Sequence, residues 1–263
     1  LIATEYAFVS AAAEVGTRDA FLKFIADDGI IFRPNAINWK TYLSDAPKRP
    51  GLLNWYPTYA GISRDGDMGF TTGPADFKKD KDSSAIWFGN FSTVWQRQTD
   101  GEFRFAIDMG CSNNKPTEQY IPLKYEMISP NSSALRKGMK RIKADELFNN
   151  DKELTMIISK MGVASTYKKF INEESRLLRD ELYPIIGTTA ITDHLTKNSG
   201  TYTFNPIGGK ISSSKDLGFT YGELTISNAD KNNNGNYNYM HIWKKEGKRW
   251  IIIIDVTNKL ETK

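Results

Sequence analysis

The chain has one cysteine, Cys111, and only two histidines, His194 and His241. One thiol cannot close an intrachain disulfide or build a cysteine-based zinc cluster. Two histidines are too few for a His-rich metal site, so no metal and no cofactor is expected. Long apolar runs are also missing. The longest, Trp250 to Ile254, has the length of a strand and falls far short of the roughly 18 residues that span a membrane as a helix. Charge of one sign is not in excess: 35 Lys and Arg stand against 31 Asp and Glu, a net +4. That bias is too weak for a nucleic-acid binder. There is no phosphate-binding glycine loop, no dinucleotide fingerprint and no G-x-S-x-G elbow, and Gly208-Gly209 is only a turn signal. ATPases, nucleophile-elbow hydrolases and nicotinamide enzymes in their usual forms are thereby excluded. The first residue is Leu1 rather than Met. This is read as a removed leader, and a periplasmic or secreted location is expected, with the cytoplasm as the alternative.

What is present is repetition. The 263 residues, 40% hydrophobic and 25% charged, suit two modest globular domains. Asp67-Met-Gly-Phe-Thr-Thr-Gly73 matches Asp216-Leu-Gly-Phe-Thr-Tyr-Gly222. Trp95 to Asp108 matches Trp243 to Asp255. The offset falls from 149 at the two leading aspartates to 148 at the tryptophans and 147 at Asp108 and Asp255. Upstream it is 146, pairing Gly16 with Gly162, Phe21 with Tyr167 and Arg33 with Arg179. Matching order with so small a drift means two copies of one domain.

Each copy reads as α+β, helices first and an antiparallel meander after. Helices are predicted over Glu5 to Val15, with Thr4 as N-cap, and Thr17 to Ala26. Their counterparts are Asp151 to Met161, after Asn150, and Ser165 to Glu174. Gly16 and Gly162 end the first helix of each copy. Strands follow over Ala85 to Trp95 and Phe103 to Met109, and over Tyr237 to Lys245 and Trp250 to Val256. The domains are set at 1–112 and 141–263, with a Pro-, Asn- and Ser-rich linker over 113–140. Within the linker, 119–125 reads as an extended segment laid against one domain. Arg136, Lys137, Lys140, Arg141 and Lys143 form a basic cluster, read as a solvated helix start or as contact with an anionic surface. Asp230 to Gly235 lacks the alternation of a calcium loop and reads as a hairpin turn.

The paired "GFT" motifs, the strand ending in Trp95 or Trp243, the turn at Gly101 or Gly247 and the closing strand ending in Asp108 or Asp255 resemble the NTF2-like superfamily. The resemblance is to its SnoaL-like and domain-of-unknown-function 4440 branch, and Phe103 stands where the second copy has the more typical Trp250. It implies two cystatin/NTF2-like cone domains, each a curved antiparallel sheet wrapped around helices, with a pocket at the open end. The superfamily includes ketosteroid isomerase, polyketide cyclases, scytalone dehydratase and many non-catalytic modules, so the fold does not settle function.

Isomerase-like chemistry needs a carboxylate base and hydrogen-bond donors in an apolar pocket. Asp108 and Asp255 are the candidate bases because each ends an apolar strand; the alternative is a strand-end cap. His241 is in phase with Trp243 and is a candidate acid or base in the second copy alone, since the first has Thr93. His194 reads as a solvated helix or loop residue. Arg33 and Arg179 follow apolar residues and either clamp an anionic or carbonyl group or pair with the aspartate of their own copy. Trp39, Tyr42, Trp55, Tyr56 and Tyr59 cluster in the divergent middle of the first copy, and Tyr183, Tyr202, Phe204 and Tyr221 in the second. The candidate pocket is Arg33, Trp39, Trp55, Tyr59, Arg179, Tyr202 and Tyr221, for a flat, partly apolar ligand such as a sugar, steroid or polyketide. The expected function is binding of a small organic molecule. The alternatives are a cofactor-free isomerase, dehydratase or cyclase, and a protein-interaction module. The two copies are expected to satisfy each other as an internal pseudo-dimer within a monomer, with Trp95 or Trp243 near that interface.

Overall fold

The computed structural model describes residues 1–48, 50–116, 121–125, 144–228 and 234–260. It divides into two compact units, Leu1–Lys140 and Arg141–Lys263. The basic cluster at 136–143 lies outside the described residues, as do 119–120 and 230–233.

Unit 1 runs α1 (Ile2–Val15), α2 (Thr17–Phe24), β1 (Ile25–Phe32), β2 (Ala36–Asn38), α3 (Trp39–Asp45), β3 (Leu52–Trp55), β4 (Tyr59–Ile62), β5 (Met68–Lys78), β6 (Trp87–Arg97), β7 (Phe103–Asn113) and β8 (Lys124–Tyr125). Its sheet order is β2-β1-β7-β6-β5-β4-β8, with β3 also on β5. Unit 2 runs α4 (Asp145–Met161), α5 (Val163–Phe170), β9 (Arg176–Leu178), β10 (Ile185–Ile186), α6 (Thr188–Lys197), β11 (Thr201–Ile211), β12 (Leu217–Ser227), β13 (Gly235–Glu246) and β14 (Arg249–Lys259). Its sheet order is β10-β9-β14-β13-β12-β11. The α+β reading holds, with one correction: both sheets are mixed. β1 pairs parallel with β7, and β9 with β14. The whole meander separates the members of each pair, a crossover long enough for the parallel arrangement that a hairpin forbids. In the linker, β8 adds to β4 in parallel.

The helices start earlier than their cap residues predict. α1 begins at Ile2, and α4 begins at Asp145, so Asn150 is helical. The cause is the apolar stripe, which reaches back from Leu154 and Ile158 to the buried Leu147. α2 and α5 are shorter than predicted, ending at Phe24 and Phe170. Gly16 and Gly162, at φ 90° and 79°, close one helix and open the next. That backbone conformation is one L side chains avoid.

The repeated motif has a structural reason at its aspartate, its first threonine and its closing glycine. In unit 1 the Ser63 hydroxyl donates to Asp67 (2.8 Å) and accepts from the Met68 amide (3.1 Å). In unit 2 Ser212 does the same with Asp216 (3.1 Å) and Leu217 (3.2 Å). A Cβ on Gly73 or Gly222 would lie 2.1 Å from the carbonyl oxygen of Tyr56 or Asn205. Only glycine lets the neighbouring backbone approach so closely. Trp95 and Trp243 are fully buried in the cores of their own units rather than at an edge. Each donates its indole N–H to the motif threonine, Thr71 at 2.9 Å and Thr220 at 3.0 Å. This corrects their expected place near an interface: the indole is an internal clasp across the sheet.

A second shared device sits on the closing strand. Register shifts between Val94 and Trp95 against β7, and between Ile242 and Trp243 against β14. Trp95 faces Phe105 and Thr93 faces Asp108; Trp243 faces Ile252 and His241 faces Asp255. Residues three apart on a regular strand point to opposite faces. The extra residue of each bulge, Ala106 or Ile253, puts the acid on the same face as the core aromatic.

Candidate functional site

Register makes the two sites comparable residue by residue. Asp108 corresponds to Asp255, Thr93 to His241, Thr71 to Thr220 and Phe91 to Tyr239. The 146-residue offset adds Glu5 with Asp151 and Phe21 with Tyr167.

In unit 2 these positions form one buried polar network. Arg179 grips Asp255 with two parallel hydrogen bonds, both 2.9 Å, a geometry that matches guanidinium to carboxylate. Tyr167 donates its hydroxyl to the same carboxylate at 2.7 Å. His241 Nδ1 lies 2.7 Å from Asp151, which also accepts from the Tyr239 hydroxyl at 2.9 Å. His241 Nε2 is 3.7 Å from Asp255, a charge contact too long for a hydrogen bond. The imidazole is 0% exposed. Burial pushes it down, but the hydrogen bond and charge of Asp151, then the charge of Asp255, outweigh burial and hold it up at about 9. For Asp255 burial acts upward, yet Arg179 and then His241 hold its carboxyl well below the usual range. Tyr167 and Tyr239 are driven well above the ordinary phenol value, first by burial and then by the neighbouring carboxylates.

Unit 1 solves the same geometry differently. Glu5, on α1, is fully buried and accepts from Trp55 Nε1 (2.5 Å), Thr71 Oγ1 (2.5 Å) and Trp95 Nε1 (3.1 Å). No cation is among these partners. Burial raises its carboxyl to about 7 against the pull of the Thr71, Trp55 and Trp95 hydrogen bonds. Asp108 is half-buried and accepts from the Thr93 hydroxyl at 2.5 Å. Burial raises it to about 6, opposed by that hydrogen bond and by the charge of Arg33. Arg33 does not reach it: the guanidinium is exposed, donates to the Phe32 carbonyl oxygen at 3.3 Å and lies 5.6 Å from the Trp39 ring. The sequence left a clamp or an internal ion pair open for both arginines. Arg179 forms the ion pair and Arg33 forms none among the described residues.

The candidate aromatics fall in several places. Trp39 is buried, packs on Phe21 and stacks on the exposed Tyr42 at 5.2 Å and 11°. Trp55 is buried against Phe8 and reaches Glu5. Tyr59 is buried against Phe70. Tyr202 is buried beside Phe204. Tyr221 is half-buried, and its ring lies over Gly208, where a Cβ would come within 2.4 Å of the hydroxyl. His194 is half-buried on α6. Among the described residues, no group of three or more His, Cys, Asp or Glu side chains is placed to hold a metal ion.

Sequence reasoning missed Glu5, Asp151, Tyr167 and Tyr239. The usable signal was the repeat itself: an acid on the first helix of both copies at the offset of the paired glycines.

No protein-family model matches the chain, and no curated protein matches it. Solved structures similar to it are NTF2-like and cystatin-like proteins, each covering less than half of this chain. An NTF2-like protein of unknown function from Shewanella oneidensis is 15% identical over 43% of this chain and 93% of its own, with a TM-score of 0.34. An NTF2-like protein from Cytophaga hutchinsonii is 7% identical over 45% of this chain and 100% of its own, with a TM-score of 0.36. A protein from Catenulispora acidiphila, solved in complex with S-DNPA, is 14% identical over 41% of this chain and 87% of its own, with a TM-score of 0.33. No helix among the described residues is long and apolar enough to cross a membrane.

Proposed function

We propose that the chain binds a small organic molecule and that unit 1 is the binding unit, with Asp108 as its polar anchor. One observation carries this reading. The two acids at the same register position differ in what they have left to offer. Asp255 is consumed by Arg179 and Tyr167 and sits 3.7 Å from His241. Asp108 holds one threonine hydroxyl and is half-buried, with part of its side chain reaching solvent. A ligand can hydrogen-bond to Asp108 at no loss to the fold, whereas engaging Asp255 means breaking a buried ion pair. In this reading Asp255 and His241 hold unit 2 together. The test is native mass spectrometry of the full chain purified without refolding. The reading predicts a reproducible small-molecule adduct that Asp108→Asn abolishes while circular dichroism stays unchanged. An adduct indifferent to Asp108→Asn would place the ligand elsewhere.

A second reading, a cofactor-free isomerase, dehydratase or cyclase, is favoured by the position of the Asp108 carboxyl near 6. A base poised near the working pH is what proton abstraction beside a carbonyl requires. Deuterium wash-in to cyclic ketone probes, present in the parent chain and lost in Asp108→Asn, would support it. No wash-in with binding retained would leave binding alone.

A further inference from the structure

We propose that the ligand of unit 1 is a zwitterion, an amino-acid-like molecule whose anionic end meets Arg33 and whose cationic end meets Asp108. The inference rests on unit 1 being the binding unit.

The two units share a strand arrangement around their arginines. β1 meets β7 as β9 meets β14, with Ile30 opposite Ile107 and Arg176 opposite Ile254. Arg33 and Arg179 therefore lie three residues past the same point. Both anchor one guanidinium nitrogen on the carbonyl oxygen just before them, Phe32 at 3.3 Å and Leu178 at 3.0 Å. In unit 2 the guanidinium then closes on Asp255. In unit 1 Arg33 and Asp108 form no ion pair, although Arg33 is near enough to act on the Asp108 carboxyl through its charge.

Three substitutions at matched positions open the pair, and each does so by a separate route. Phe21 stands where Tyr167 donates to Asp255, so Asp108 lacks that hydroxyl. Thr93 stands where His241 supplies positive charge. Trp39 stands where unit 2 has Gly187, since Ile31 pairs with Ile37 as Leu177 pairs with Ile185. The Trp39 ring draws the Arg33 guanidinium over its face, a favourable cation–π contact. Here both charges are kept and their mutual partners are removed.

A separated cation and anion select a ligand of the reverse polarity. A lone anion at Arg33 meets the Asp108 carboxylate, and a lone cation at Asp108 meets the guanidinium. A molecule carrying both charges satisfies both, with hydrogen bonds to ionised groups at each end. A third donor is waiting: Trp39 is only 7% exposed and its Nε1 is buried without a partner. A buried N–H left unpaired is costly, and a ligand carboxylate would satisfy it.

The experiment follows the Trp39 indole N–H by NMR in the full chain, assigned with Trp39→Phe. The probes are glycine, β-alanine, 4-aminobutyrate and 6-aminohexanoate, then the N-acetyl and methyl-ester forms of whichever binds most tightly. The expected result is a saturable shift with one length in the series. Binding should weaken tenfold or more when either end is blocked, and should be lost in Arg33→Gln and Asp108→Asn. Arg33 is exposed, so Arg33→Gln keeps the test valid even where Asp108→Asn is poorly folded. A blocked form that binds as well as the parent would overturn the zwitterion while leaving unit 1 as the binding unit. The same holds if no probe binds but the native adduct still depends on Asp108. No probe binding and no Asp108-dependent adduct would sink both readings.

Discussion

Units 1 and 2 each bury an acid from the first helix and carry another on the closing strand, at positions that superpose by register. They differ in how those acids are compensated. Unit 2 supplies charge: Arg179 and His241 face Asp255 and Asp151, and two tyrosine hydroxyls complete the set. Unit 1 supplies only neutral donors, two indoles and two threonine hydroxyls. The first arrangement locks and the second leaves its carboxyls easy to protonate and, at Asp108, open. One backbone thus supports a closed structural site and an accessible one, and a few interior substitutions separate them.

The sharpest way to break the comparison is to remove matched arginines. Arg179→Gln strands Asp255 in a buried site, and unit 2 is expected to lose about 3–5 kcal/mol. Arg33→Gln removes an exposed charge and should change unit 1 by no more than about 0.5 kcal/mol. Denaturant unfolding, resolved by unit through hydrogen-exchange mass spectrometry, checks both. Similar losses would show that Arg33 pairs with Asp108 in solution.

Acidity separates the units next. Between about 4.5 and 7 folded Glu5 keeps a proton that the unfolded chain has released. Unit 1 stability should therefore fall as pH rises through that window, by about 3 kcal/mol. His241 is held up at about 9 from 6.5. Its contribution to unit 2 is complete below about 6.5 and is lost as pH rises to about 9, again by about 3 kcal/mol. Unit-resolved hydrogen exchange across pH 5 to 9 should show unit 1 weakening first. Simultaneous weakening would refute the distinction.

A smaller effect is expected from Tyr167→Phe, which installs unit 1's own residue type in unit 2. It removes one hydrogen bond to an ionised carboxylate and should cost about 1.5–3 kcal/mol. The smallest belongs to Asp108→Asn at pH 8. The carboxyl raised to about 6 is a burial of charge that costs about 3 kcal/mol at pH 8. The Asn amide offsets most of the gain from removing it by bringing half-buried N–H groups into a site built to donate, so thermal unfolding should shift upward by little.

Much of this was legible before the structure. The repeat and the order of helices and strands follow from matched spacing, and an arginine paired with the aspartate of its own copy was one of the two readings that spacing left open. Arg33 was not legible, because Trp39 and Gly187 lie where the copies share little identity and nothing marks them as equivalent. Glu5 and Asp151 were missed because one acid on a helix reads as a solvated residue. Only the neighbouring strands show that it points inward. Trp95 and Trp243 were expected near an interface, since a large aromatic ending a strand does not reveal that a threonine across the sheet accepts its N–H.

The bulge at Ala106 and Ile253 has a consequence for how the site is written into the gene. Deleting Ala106 would remove the bulge and leave Phe105 and Asp108 two residues apart, so plain alternation would keep both on the face they share. Pairing Ala106 regularly with Val94, with no residue lost, would instead bring Ile107 opposite Thr93 and turn Asp108 to the other face, with no side chain changed. The acid's inward address is therefore a matter of counting as well as of chemistry. A scan of point substitutions would pass over Ala106 as a small, replaceable residue, although whether it bulges or pairs decides which face the acid takes.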